Sequence, residues 1–335
     1  MTAAGAPRIA VLGAGAWGTA LAIGLTGPGE VRLWTRHPAH AEQMRSEGVN
    51  RRYLPEAALP AGLNVSADLG EVCAGADYLI AATPTGGFRD LLRQLRELAV
   101  PAPLIWLCKG FETGTGKLPH QVLAEAWPEQ TRAGVLSGPS FAREVAAGLP
   151  AALTLAASDA DFARQAARDL HRPHLRLYSS SDVTGVEIGG AVKNVVAIAA
   201  GIADGLGFGL NARAALITRS LAEISRLGLK LGGRPETFMG LSGVGDLILT
   251  CTGDLSRNRQ VGLRLAAGES LEGILRNLQH VAEGVTSAHE ISRLAGQLGV
   301  EMPITDAVRR ILAQELPAHE AVAALLGREL KDERI

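Results

Sequence analysis

The sequence predicts an α/β domain followed by an all-α domain, on three observations. Short, continuously apolar runs alternate with amphipathic stretches through the first 181 residues, the pattern of parallel strands joined by helices. From residue 182 to residue 335 helical periodicity continues and no convincing strand appears. The length of 335 residues, 47% of them apolar, suits two domains at ~100–200 residues each.

Strand-like runs fall at residues 8–12, 31–34, 78–82, 104–108, 133–136, 152–156 and 175–178. They are apolar at successive positions rather than alternately, as strands buried on both faces are. Helical patterns occupy 19–25, 88–98, 118–127 and 161–170. The polar stretch Ser179-Ser180-Ser181-Asp182 carries N-cap residues and ends the first pattern. Helices are then expected near 183–206, 212–227, 257–267, 271–277, 286–298, 304–314 and 320–325. The expected domains are therefore 1–181 and 182–335.

Charge and cysteine usage exclude several classes. Lys plus Arg total 33 and Asp plus Glu 34, a net charge of −1. Such balance gives no overall attraction to nucleic acid or to an anionic membrane. Cys73, Cys108 and Cys251 are far apart and form no metal-ligand spacing, so no metal and a reducing cytoplasm are expected. The histidine pairs His37/His40 and His171/His174 flank prolines, which favours surface loops over metal sites. The N-terminus enters a strand almost at once, without the pattern of a signal peptide. The most apolar run, residues 195–202, is too short to span a bilayer, and no membrane insertion is expected. Glycine stands out, with 40 residues against a usual ~7%.

Gly13-Ala14-Gly15-Ala16-Trp17-Gly18 is a G-x-G-x-x-G between the first strand and the first helix, the context in which that motif binds a dinucleotide. Gly13 permits the tight turn, Gly15 lets a pyrophosphate approach the backbone, and Gly18 lets helix and strand pack closely. The first domain is thus expected to be Rossmann-like and doubly wound. At the end of the second strand, where Asp or Glu usually holds a ribose 2′-hydroxyl, the chain reads Thr35-Arg36-His37. Arg36 either holds a 2′-phosphate or stacks on adenine, or is a solvated loop residue; the first reading has NADPH accepted. Further loops at strand ends are 83–87, Lys109-Gly110 and 137–141. The segment 110–117 resembles a P-loop, but it has one residue too many between its glycines, and Leu118 stands where Ser or Thr is required.

In the second domain, Gly189 and Gly190 precede Lys193 by four and three residues and share its helix face. Glycine inside a helix costs ~0.5–1 kcal/mol relative to alanine, so two of them point to a close approach there. A desolvated lysine at that place would serve as a base near neutral pH. The competing reading is a lysine that snorkels to solvent. The run 240–246 is again glycine-rich and ends in Asp246. Ser256 can cap a helix in which Arg257 and Asn258 add donors for a phosphate, or that helix is merely a capped surface element.

These segments resemble the bacterial type of NAD(P)-dependent glycerol-3-phosphate dehydrogenase. The resemblance runs through GAGAWGTALA, VRLWTRHP, NRRYLP, CKGFETGTGKL, LSGPSFAREVAAGLP, DVTGVEIGGAVKNVVAIAAGIADGLGFG, TFMGLSGVGDLILTCTGDLSRNR, VAEGVTSA and MPITDAV. It implies reversible reduction of dihydroxyacetone phosphate to sn-glycerol 3-phosphate with NADPH or NADH, feeding glycerophospholipid synthesis. By that resemblance Lys193 is the proton carrier. Lys109, Gly138, Ser140, Asp246, Ser256, Arg257 and Asn258 line the substrate. Ala16, Trp17, Arg36, His37, Tyr53, Lys109, Ala142, Arg257, Val281 and Glu283 match cofactor contacts, beside the motif glycines Gly13, Gly15 and Gly18. A homodimer is implied as well. The chain departs from the family pattern at Leu210, Ala212 and Ser220, where Asp, Thr and Gly are usual, and near residue 287. Two other readings remain open: a two-domain dehydrogenase of another hydroxy acid, and a non-catalytic dinucleotide sensor. The segment 256–259 discriminates against the first, and Lys193, Lys109 and Asp246 count against the second.

Overall fold

A computed structural model describes residues 5–278 and 283–326. The chain divides into two compact units: Met1–Cys108 with Pro119–Val183, and Lys109–Leu118 with Thr184–Ile335.

The first unit is built on an eight-stranded sheet. Its strands are β1 (Ile9–Leu12), β2 (Val31–Trp34), β5 (Leu63–Ser66), β6 (Tyr78–Ala81), β7 (Leu104–Trp106), β8 (Ala133–Ser137), β9 (Ala151–Ala157) and β10 (Leu175–Ser180). Their order is β10-β9-β8-β7-β6-β1-β2-β5. The central strands are the apolar runs of the sequence: β1 and β6 are buried at every position, and β7 likewise. The order reverses between β1 and β6, so the crevice beyond their C-terminal ends is the place where an open sheet of this kind takes its ligand. Helices α1 (Ala16–Leu25), α4 (Thr85–Glu97), α5 (Pro119–Ala126) and α7 (Ala160–Asp169) fall where amphipathic patterns predict them.

Three features depart from the sequence expectation. The sheet is not wholly parallel, since β8 and β9 pair antiparallel while β9 and β10 pair parallel. The β8–β9 connection holds only the five-residue helix α6 (Ala142–Ala146), whose Val145 packs with Ala20 of α1. The chain then re-enters the sheet from the edge it left, as an antiparallel neighbour can. A hairpin of β3 (Val49–Asn50) and β4 (Leu54–Ala58), and the strand β5, carry too few buried apolar residues to be read from periodicity. Helix α2 (Pro38–Glu47) buries only Ala41 and Met44, and α3 (Leu69–Cys73) is five residues long; both escape the same signal.

The described residues of the second unit hold helices and no strand. They comprise α8 (Val183–Gly205), α9 (Gly209–Lys230), α10 (Pro235–Phe238), a π-turn (Leu241–Gly245), α11 (Asp246–Thr252), α12 (Arg257–Ala266), α13 (Leu271–Leu278), α14 (Glu283–Leu298), α15 (Pro303–Leu312) and α16 (Ala318–Leu326). α8 is the central helix, with Ile188, Val192, Val195, Val196 and Ile198 fully buried. At 23 residues it is long and apolar enough to cross a membrane, so run length alone does not decide against insertion; 89% of its most apolar window is buried inside the protein. Two glycines let α12 lie directly on it. A Cβ on Gly201 would stand 2.0 Å from the Arg259 carbonyl oxygen, and one on Gly262 would stand 2.1 Å from that of Ile198. Glu223 of α9 accepts bonds from the Ile304 and Thr305 N–H groups at 2.7 and 3.2 Å, satisfying two of the open donors at the start of α15.

Candidate active site

In the first unit the glycine loop joins β1 to α1. Gly13 has φ of +130°, and a Cβ there would lie 2.7 Å from the Ala82 carbonyl oxygen beyond β6. Only glycine meets both conditions. A Cβ on Gly18 would strike the Gly13 carbonyl oxygen at 2.0 Å, whereas one on Gly15 would meet nothing within 4 Å. Two glycines thus close the turn, and the third faces open space. Gly15 caps α1 without a side-chain hydrogen bond, and the first turn holds no acid. Free N–H groups and the positive end of the helix dipole are therefore available to an anion. These residues fit a dinucleotide pyrophosphate.

At the end of β2, Arg36 and His37 are exposed, and the Arg36 Nε donates to His37 Nε2 at 3.0 Å. No carboxylate follows β2 before α2, so no acid occupies the usual 2′-hydroxyl position. Tyr53 is half-buried beside His40, with ring centroids 5.5 Å apart. Trp17 and Ala142 sit in the first turns of α1 and α6. Gly138 is buried with φ of +142°, and Ser140 Oγ donates to its carbonyl oxygen at 3.0 Å. Val281 lies outside the described residues.

The second unit holds a lysine–aspartate–lysine cluster. Asp246, 1% exposed, opens α11 directly after the π-turn. Its Oδ2 accepts from Lys109 Nζ at 2.8 Å, and its Oδ1 accepts from Lys193 Nζ of α8. Lys193 is 7% exposed and donates also to Thr250 Oγ1 at 3.0 Å. Burial pushes the Lys193 ammonium down to about 8, against the pull of Asp246 and with the help of the Lys109 charge. For Asp246 burial works upward, but the two ammonium groups outweigh it and hold the carboxyl below the usual range. Lys193 can therefore gain or release a proton near neutral pH while a permanent anion stays beside it.

Of the two glycines that precede Lys193, Gly189 makes the close approach that the sequence suggests, and its partner is backbone of this chain. A Cβ on Gly189 would lie 2.2 Å from the Ser242 carbonyl oxygen. Gly189 thus lets the π-turn press against α8, and that contact sets Asp246 next to Lys193.

The N-terminus of α12 holds the proposed phosphate donors. Ser256 Oγ accepts from the Arg259 N–H at 3.2 Å and so caps the helix. Asn258 Oδ1 accepts from the Gly284 N–H at 3.1 Å, which leaves its amide nitrogen as the donor end. Arg257 is exposed, close enough to Glu283 for its charge to act on that carboxyl. Burial nevertheless raises Glu283 above the ordinary glutamate range, and its Oε2 accepts from Asn194 Nδ2 at 3.3 Å. Sequence reasoning missed Thr250 as a partner of Lys193. Spacing along one helix gives no sign of a contact 57 positions away. The bond from Asn194 to Glu283, 89 positions on, is equally invisible to spacing.

The glycerol-3-phosphate dehydrogenase resemblance extends to known proteins over nearly the full length. Residues 8–163 match the family described as NAD-dependent glycerol-3-phosphate dehydrogenase N-terminus, and residues 182–323 match its C-terminus. Glycerol-3-phosphate dehydrogenase [NAD(P)+] of Nitrosospira multiformis is 59% identical over 330 residues, covering 97% of this chain and 99% of the relative. Its counterpart in Dechloromonas aromatica is 56% identical over 326 residues, covering 97% of this chain and 99% of the relative. The crystal structure of glycerol-3-phosphate dehydrogenase from Coxiella burnetii superposes with a TM-score of 0.90 at 40% identity, covering 96% of this chain and 99% of that one. With both family halves matched, and with such relatives over nearly the whole chain, the chain belongs to the NAD-dependent glycerol-3-phosphate dehydrogenase family.

Proposed function

We propose that this chain reversibly reduces dihydroxyacetone phosphate to sn-glycerol 3-phosphate with NAD(P)H, supplying glycerophospholipid synthesis. The observation that carries this reading is the Lys193 ammonium, buried against Asp246 and Thr250 and brought to about 8. A bound NAD(P)H supplies the hydride for C2 of the ketone. Negative charge then grows on the ketone oxygen, and protonated Lys193 stabilises it and gives up its proton. Asp246 keeps the ammonium charged until then, and Lys109 adds a second positive charge beside the same carboxylate. Arg257 and the Asn258 amide hold the substrate phosphate, which orients the carbonyl, while Ser256 fixes their helix end. Gly138 and Ser140 contribute to substrate binding by family analogy. Gly13, Gly15, Ala16, Trp17 and Gly18 receive the pyrophosphate; Arg36, His37 and Tyr53 meet the adenosine end. Ala142, Val281 and Glu283 are further cofactor contacts by the same analogy. A cytoplasmic homodimer completes the reading.

Following NADPH absorbance on addition of dihydroxyacetone phosphate tests it. Rapid oxidation is expected. No oxidation with that substrate, but oxidation with an unphosphorylated 2-keto acid, would move the chain to a related dehydrogenase. No oxidation with either would favour a sensor.

A further inference from the structure

Asn50 is a wholly buried amide under the glycine loop, at 0% exposure. It follows α2 in the short strand β3 and opens the NRRYLP segment, where the sequence reading gives it no role. Its Nδ2 donates to the Ala14 carbonyl oxygen at 3.0 Å and to Thr19 Oγ1 at 2.8 Å. Its Oδ1 accepts from the Tyr53 N–H at 3.3 Å and is 3.0 Å from His40 Nε2. All four of its hydrogen-bonding positions are used. The orientation is forced, because a carbonyl oxygen only accepts and so the amide nitrogen must face Ala14. Oδ1 then faces His40, and Nε2 must carry the ring proton. In the neutral ring Nδ1 is left to accept from Thr35 Oγ1, 3.2 Å away at the end of β2.

The bond to Ala14 has a consequence at Gly15. A trans peptide points its C=O and the following N–H in opposite directions. With the Ala14 carbonyl turned onto Asn50, the Gly15 N–H turns away from it, and that N–H makes no hydrogen bond among the described residues. It faces away from the packed interior at the residue whose Cβ position is open.

We propose that Asn50, held in place by His40 and Thr35, is a positioning residue that fixes the Gly15 N–H as a donor to the cofactor pyrophosphate. The chain Thr35–His40–Asn50 thereby links the adenosine end of the site to the phosphate loop. The inference rests on the dinucleotide reading of that loop. Because the pyrophosphate is common to both cofactors, loss of the link weakens NADH and NADPH by the same factor.

Calorimetric binding of NADPH and NADH tests this. Asn50→Asp replaces the donating amide by an acceptor. His40→Leu leaves Asn50 in place but unheld, and is the safer variant because His40 is only half-buried. His40→Gln restores a donor toward Asn50 Oδ1. Both disrupting variants should weaken NADPH and NADH about equally, by about tenfold, the size expected for a misaligned hydrogen bond to a charged group. His40→Gln should bind within about twofold of the unaltered protein. Unchanged affinity in His40→Leu, loss of NADPH alone, or a His40→Gln no better than His40→Leu would overturn the proposal. If the unaltered protein binds neither dinucleotide, the reading of the loop fails instead.

Discussion

Lys193 sits between two opposed effects. Burial disfavours its charge, Asp246 favours it, and burial prevails far enough to bring the ammonium to about 8. The pH dependence of catalysis follows from that value. In the proposed reaction ketone reduction consumes the proton on Lys193, so its kcat should hold below pH 8 and fall about tenfold per unit above it. Alcohol oxidation needs the neutral amine and should rise with pH up to the same region. Opposite limbs in the two directions, measured by NADPH absorbance, check this; parallel limbs would assign the proton elsewhere. Ser220 is a residue-scale counterexample, a buried hydroxyl on α9 without a hydrogen-bond partner among the described residues. Ser220→Ala removes that unsatisfied group and should raise stability by about 1 kcal/mol, seen as a higher Tm with unchanged kcat. At this scale the sequence was legible where chemistry marks a residue type, as at Lys193 and Asp246. It was silent on Thr250 and Asn50, whose bonds to Lys193 and to Ala14 span 57 and 36 positions.

Among the elements, glycine placement decides how closely helices pack. Gly201 and Gly262 bring α12 against α8, the helix that carries Lys193 and Asn194, and α12 begins with the proposed phosphate donors. Gly201→Val would drive a side chain into the Arg259 carbonyl and displace α12. Stability should fall by about 1–3 kcal/mol or more, with KM for dihydroxyacetone phosphate rising more than kcat falls. Thermal unfolding and steady-state kinetics on one preparation measure both; a normal Tm would mean that the two helices separate freely. Elements with continuous apolar runs were legible: β1, β2, β6 and β7 fall at or within a residue or two of their expected bounds, and α8 within one residue. The hairpin β3–β4, the strand β5 and the helices α2, α3, α10 and α11 were not. They are short, largely polar, or, for α11, too close to a glycine-rich run for periodicity to build up.

For the whole molecule, composition and alternation of pattern were enough to announce an α/β unit and a helical unit. The antiparallel turn of β9 was not legible, because pairing direction depends on where a connection packs and not on the strands it joins. The family assignment draws on the full length, whereas the proposed chemistry depends on one proton at one amine. Single-turnover oxidation of bound NADPH on mixing with dihydroxyacetone phosphate, in the unaltered protein and in Lys193→Ala, tests that most directly. The unaltered protein should oxidise NADPH rapidly, while Lys193→Ala binds NADPH with normal affinity and does not oxidise it. Near-normal oxidation by Lys193→Ala would contradict the account.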